Sequence, residues 1–229
     1  MKPSFLVITC IIVILMLRLG SDSKAQPLSK ANLKTLINGK TWVPKTSIAL
    51  KDQFFLKEMD LNGRLIFKGN QFDNVQFTYD LSTEEIITRI ETIDKTKRNI
   101  IVNANFLEGF SINDNQFKFD FIRGDLLHTK LDSNNYYQVV KFKNLKYVIK
   151  RKMKKILKSH NSKKFKYTPE NKVYIISGNE IISIKTKNDI LHFFPLEKKK
   201  MKQYIRTHKL KIGTKTPMDA IVLLSKFDL

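Results

Sequence analysis

From residue 53 the apolar residues recur every second position, which is the period of a half-buried strand. Phe55, Met59 and Leu61 alternate with Leu56, Glu58 and Asp60, and Leu65-Ile66-Phe67 resume the run after Asn62-Gly63. Asn-Gly tolerates the positive φ of a tight turn, so this segment is predicted to be a hairpin turning at Asn62-Gly63. Gly69-Asn70-Gln71-Phe72 reads as a turn entering a strand, and Val75, Phe77 and Tyr79 alternate with Gln76, Thr78 and Asp80. Leu81-Ser82-Thr83-Glu84 turns the chain into Glu85–Glu91, and Asn99–Phe106 is a further strand candidate. Over 116–122, Phe117, Phe119 and Phe121 share one face. Tyr136–Phe142 and Leu145–Met153 form a hairpin about Lys143-Asn144. Residues 154–166 read as a loop or a long hairpin end. Lys172–Ile176 and Glu180–Lys185 flank the turn Ser177-Gly178-Asn179.

The period changes near residue 188. Asp189 is placed to cap a short helix through Phe194, and Pro195 suits the first turn of the next. Met201, Tyr204 and Ile205 have helical spacing within Leu196–His208. Thr216-Pro217-Met218-Asp219 combines a hydroxyl N-cap, proline at the first position and an early acid, ahead of Ala220, Ile221, Leu223, Leu224 and Phe227. Before the strands, Leu33, Leu36 and Ile37 suit a short helix ended by Asn38-Gly39, and Trp42-Val43-Pro44 reads as extended. The expected fold class is α+β: antiparallel β over residues 53–185, then about three short helices over 188–229.

The N-terminus departs from this pattern. Lys2 precedes Phe5–Leu17, which is apolar except for Thr9, and Ser23-Lys24-Ala25 offers small residues at a cleavage site. That is the form of an export signal, and its apolar run is too short to span a bilayer before Arg18. Residues 1–25 are expected to be a cleaved signal, cut between Ala25 and Gln26, with 26–229 a single exported domain. The single cysteine, Cys10, lies inside the signal. The mature chain then has no thiol, which excludes cysteine nucleophiles, disulfides and cysteine-ligated zinc. The expected location is the periplasm, the outer membrane as an associated protein, or the exterior.

Lys and Arg number 42 against 21 Asp and Glu, a formal net charge of +21. Such a surplus attracts polyanions. AT-rich codon usage produces the same skew, and it fits a chain rich in Lys, Asn, Ile and Phe with only eight glycines. Locally the excess peaks between Lys141 and Lys166, which hold twelve Lys or Arg interleaved with Phe142, Tyr147 and Phe165. Lys150, Arg151, Lys152, Lys154 and Lys155 are the candidate anion-binding residues, against the plainer reading of a solvated face. Lys198-Lys199-Lys200 with Lys202 is a second basic run on a helix whose other side is apolar.

No catalytic signature stands out. His128, His160, His192 and His208 lack the i, i+3 or i, i+4 spacing of a helical metal pair. Glu84-Glu85 and Asp120/Asp125 beside Arg123 are carboxylate pairs of a kind any β-rich chain offers, and Asp114 reads as an Asn/Asp turn. Phosphate-binding and nucleophile-elbow motifs are absent. No metal or cofactor is expected.

Three phrases carry a resemblance: Gly69-x-x-Phe72-Asp73-Asn74-Val75-x-Phe77-x-Tyr79-Asp80, then Tyr136-Tyr137, then Lys187-x-Asp189-Ile190-Leu191 leading into the 198–210 helix. In these and in element order the chain resembles a group of uncharacterised exported proteins of Bacteroidota. The resemblance implies export and a β-then-helix layout, and no functional residues.

The expectation is therefore a non-catalytic binding or interaction protein of the cell envelope. It would contact an anionic envelope polymer or an envelope protein, with nucleic acid set aside as a partner. The alternative is a glycan or peptidoglycan hydrolase whose carboxylates the sequence does not single out.

Overall fold

A computed structural model describes residues 37–43, 51–91, 95–114, 117–159 and 162–227. The expected signal at residues 1–25 with Cys10, the expected Ala25/Gln26 cleavage point, Leu33, Leu36 and His160 lie outside them. The fold is mostly antiparallel β-sheet followed by three short C-terminal helices, the α+β layout that the change of period predicts.

The strands are β1 (Ile37–Thr41), β2 (Leu61–Phe67), β3 (Asn70–Asp80), β4 (Glu85–Glu91), β5 (Lys97–Val102), β6 (Leu107–Asn113) and β7 (Lys118–Arg123). A one-turn helix, α1 (Gly124–Leu127), precedes β8 (Tyr136–Lys141) and β9 (Lys146–Lys150). Then come β10 (Met153–Ser159), β11 (Ser162–Pro169), β12 (Lys172–Ser177) and β13 (Glu180–Ser183). Helices α2 (Lys187–Phe193), α3 (Lys198–Thr207) and α4 (Pro217–Lys226) finish the chain. Eleven strands form one antiparallel sheet in the order β1-β5-β4-β3-β2-β6-β7-β8-β9-β12-β13, and β10 and β11 pair by themselves.

The sheet curls strongly. Four strands lie between β3 and β9 in the order, yet Met153 N–H, just after β9 in the chain, donates to the carbonyl of Leu81, just after β3, at 3.0 Å. The concave wall holds Leu65, Phe77, Tyr79, Phe110, Ile112 and Phe121, each at most 1% exposed. Phe110 stacks on Phe121 at 4.6 Å between centroids and meets Phe77, Tyr79 and Tyr136 edge-on. Toward the other edge Tyr147, Ile149, Val173 and Ile175 pack under Ile190, Leu191, Met201, Leu223 and Leu224 of the helices. Among the described residues no helix is long and apolar enough to cross a membrane.

Several local readings change. Ile37, Asn38 and Gly39 belong to β1, which pairs with β5, so the helix expected to end at Asn38-Gly39 is not formed at those residues. Residues 55–59 are not strand: Leu56, Lys57 and Asp60 take positive φ, and Phe55 sits in a 3-10 turn with its ring edge-on to Phe119 and Phe121. Asn62-Gly63 lies inside β2, and the hairpin turns at Lys68-Gly69, with φ of 49° and 71°. The tight-turn chemistry is thus carried by the next glycine along. Asn99–Phe106 divides into β5 and a 3-10 turn at Ala104–Phe106. Phe117 is 61% exposed, unlike Phe121, and its backbone exchanges hydrogen bonds with that of Asp114 ahead of β7. Residues 154–166 are the hairpin end among the two readings offered, with the strands running from Met153 to Pro169.

At α2, Thr186 is the N-cap and Asp189 the third helical residue, and they complete a capping box. Asp189 accepts from the backbone N–H of Thr186 and Lys185, which holds its carboxyl below the usual aspartate range. Pro195 lies in a turn, and α3 starts at Lys198. Thr216 occupies the N-cap of α4, but its hydroxyl donates to the carbonyl of Lys211 instead of capping the helix.

Candidate functional site

The five basic residues singled out in the sequence occupy different environments. Alternation along β9 and the turn after it separates the first two. Lys150 follows Val148 to the convex face. Arg151 follows Tyr147 and Ile149 to the concave one.

Lys150 is spent on the protein itself. Its Nζ donates to Asn135 Oδ1 at 2.7 Å and lies 3.1 Å from Glu84 Oε1, at ion-pair distance but without hydrogen-bond alignment. The two side chains are only 12% and 19% exposed. Glu84 is delivered by the β3–β4 turn, where it takes a φ of 62°. A positive φ at a non-glycine residue costs energy, and this one is held by the buried pairing. Lys150→Met should therefore destabilise the fold by about 2 kcal/mol, because it strands a largely buried carboxylate, and Glu84→Gln added to it should recover most of the loss. Chemical denaturation of the two variants checks this.

Arg151 Nε donates to Gln138 Oε1 at 2.8 Å, and Nη2 reaches Met218 Sδ at 3.3 Å. Burial lowers its pKa to about 10, so it stays cationic at neutral pH. Tyr79 and Tyr147 belong to the same buried wall, and burial raises both phenols above the ordinary tyrosine value. Asp80, at the end of β3, is also raised by burial, offset in part by hydrogen bonds from Ser82 and Thr83.

The remaining three lie on or beside the β10–β11 ribbon. The Lys152 backbone N–H is tied to Asn171 Oδ1. The Lys154 side chain is 62% exposed and sits 3.6 Å from Glu170. Lys155 Nζ stands 4.0 Å over the Phe165 ring, a cation–π geometry. Lys154 and Lys155 point to opposite faces of the ribbon. Lys150 and Arg151 are structural positions, then, and the accessible part of the basic run is the ribbon. The second run, Lys198 to Lys202, lies on α3, whose Met201 and Ile205 face the core.

Carboxylates and histidines are likewise engaged. Glu84 and Glu85 line an open cleft of about 360 Å³ with Asn103, Asn105 and Tyr136, and Lys40 lies 3.8 Å from Glu85. Arg123 holds Asp125 through two hydrogen bonds, which lowers that carboxyl's pKa. Asp120 accepts from Ser111 Oγ at 2.6 Å and pairs with Lys118. His128 Nδ1 accepts from Lys130 N–H, so its Nε2 carries the proton that bonds Asn179. His208 stacks on Tyr204 at 3.8 Å. No group of three or more metal-ligating side chains occurs among the described residues.

Tyr79, Tyr147 and Gln138 escaped the sequence reading as polar groups, since alternation presents the two tyrosines as core. Gln138 had a signal: it is a lone amide inside Tyr136-Tyr137-Gln138-Val139-Val140, and a buried polar side chain needs a partner. No protein-family model, curated protein or solved structure matches the chain.

Proposed function

We propose that this chain is an exported, non-catalytic binding protein of the cell envelope that engages an anionic envelope polymer through the β10–β11 ribbon. One observation carries the reading. The later part of the chain's basic run folds as a strand pair outside the main sheet, with Lys154 and Lys166 on one face and Lys155, Leu157 and Phe165 on the other. Leu157 is 56% exposed beside Lys155, so charge and apolar contact are offered together. The net charge of +21 supplies long-range attraction to a polyanion. The pattern of an export signal at Phe5–Ala25 supports placing the partner in the envelope, as does the resemblance to exported proteins of Bacteroidota.

Retention on immobilised heparin tests it. Lys154/Lys155/Lys166→Glu should bind about tenfold more weakly than the wild type at physiological salt, and with a shallower salt dependence. Lys150 and Arg151 are left intact, because reversing them would test folding instead. Equal retention of wild type and variant would defeat the proposal.

A further inference from the structure

The second basic run is not used inside the fold. Helix α3 carries Lys198, Lys199, Lys200, Lys202 and Arg206 and no acid. Buried Met201 and Ile205 fix its core side, and helical spacing then sends Lys199, Lys200, Gln203 and Arg206 outward, with Lys202 beside them. All five are exposed. None of the basic residues on this face forms an ion pair among the described residues. Lysines in the first turn sit at the unfavourable end of the helix dipole, so helix formation gives no reason for them.

Just ahead of this face stands Leu196, 90% exposed, the most exposed large apolar side chain among the described residues. It lies in the turn Pro195–Glu197 between α2 and α3. That turn is anchored at both ends. Phe194 is 9% exposed with its ring edge-on to Phe193 at 4.7 Å, and Met201 N–H donates to the Glu197 carbonyl at 2.9 Å. Pro195 fixes one backbone angle beside it. Leu196 is therefore held out in solvent at the entry to the basic face, close in sequence to Lys199 and Lys200. A hydrated polyanion rewards charge, whereas an exposed leucine is rewarded only by an apolar phase. A surface that offers both in one place is an anionic bilayer, where leucine passes below the headgroups and lysines stay among them.

We infer that the Pro195–Glu197 turn and the outward face of α3 form a docking surface for an anionic phospholipid bilayer. Leu196 inserts, and Lys199, Lys200, Lys202 and Arg206 meet the headgroup phosphates. Attachment is peripheral: one leucine inserts only weakly, and the basic face supplies the second signal that stable binding needs. The surface is distinct from the β10–β11 ribbon and stands whether or not the ribbon takes a polymer.

Co-sedimentation with vesicles of phosphatidylcholine, or of equimolar phosphatidylcholine and phosphatidylglycerol, tests this. The wild type should bind the mixed vesicles and leave the neutral ones. Lys199/Lys200/Lys202→Glu should weaken binding about a hundredfold. Leu196→Asn keeps the charge and should weaken it about tenfold. Lys154/Lys155/Lys166→Glu changes net charge by the same amount at the ribbon, and it should keep most of its vesicle affinity while losing heparin retention. That contrast separates a failure here from a failure at the ribbon. Leu196→Trp should emit at shorter wavelength on the mixed vesicles, over a constant signal from Trp42, which is 8% exposed. The substituted side chains are exposed, and acids suit the first turn of α3 better than lysines, so the variants should melt with the wild type. No preference for the mixed vesicles, equal losses for the two charge reversals, or undiminished binding by Leu196→Asn would overturn the assignment.

Discussion

Phe110→Ala should destabilise the protein by about 4 kcal/mol in equilibrium denaturation, enough to leave much of the chain unfolded at 37 °C. The ring is 1% exposed at the centre of the concave wall. It stacks on Phe121, meets Phe77, Tyr79 and Tyr136 edge-on, and pairs through the sheet with Leu65. Truncation loses the transfer energy of the ring and leaves a hole that rigid aromatic neighbours cannot collapse into. Phe110→Leu, which keeps most of the volume, should cost less than half as much. Equal losses for the two substitutions would contradict the packing argument.

The second large effect comes from adding atoms. Gly63→Ala should cost about 3 kcal/mol or prevent folding, measured by the same denaturation or by soluble yield. A Cβ built at Gly63 would lie 2.0 Å from the Ser111 carbonyl oxygen and 2.9 Å from the Phe77 ring. The first is backbone of the neighbouring central strand and cannot swing away. Gly69→Ala meets nothing within 4 Å and carries only the penalty of its left-handed φ. It should therefore cost about 1 kcal/mol. A hairpin turning at Asn62-Gly63, as the local sequence suggests, would reverse that ranking.

These two experiments bear on the site as well. Phe110 and Phe121 back Tyr79, and Gln138 on the same wall accepts from Arg151. The polar groups of the interior thus stand on the aromatic wall, while the ribbon stands outside the main sheet.

Much of the fold was legible because period two is a backbone property. Wherever one face of a strand is buried, the alternation shows, as it does for Val75, Phe77 and Tyr79 and for the pair β8 and β9. The change to helical spacing near residue 188 is equally local, and so is the lysine surplus; Asp189 was legible as a helix-start residue, although the N-cap itself is Thr186. Tertiary structure decided what local chemistry leaves open. Gly63 looks like a turn residue but serves a close approach by a strand distant in sequence. Phe55 looks like strand but packs from a 3-10 turn bent by left-handed neighbours. Lys150, Arg151 and Lys154 look like one basic patch, but the fold sends the first to Glu84, the second inward to Gln138 and the third to solvent. Periodicity records which face a side chain takes, whereas the partner it meets there is set by strand order and curvature, which no short window of sequence contains.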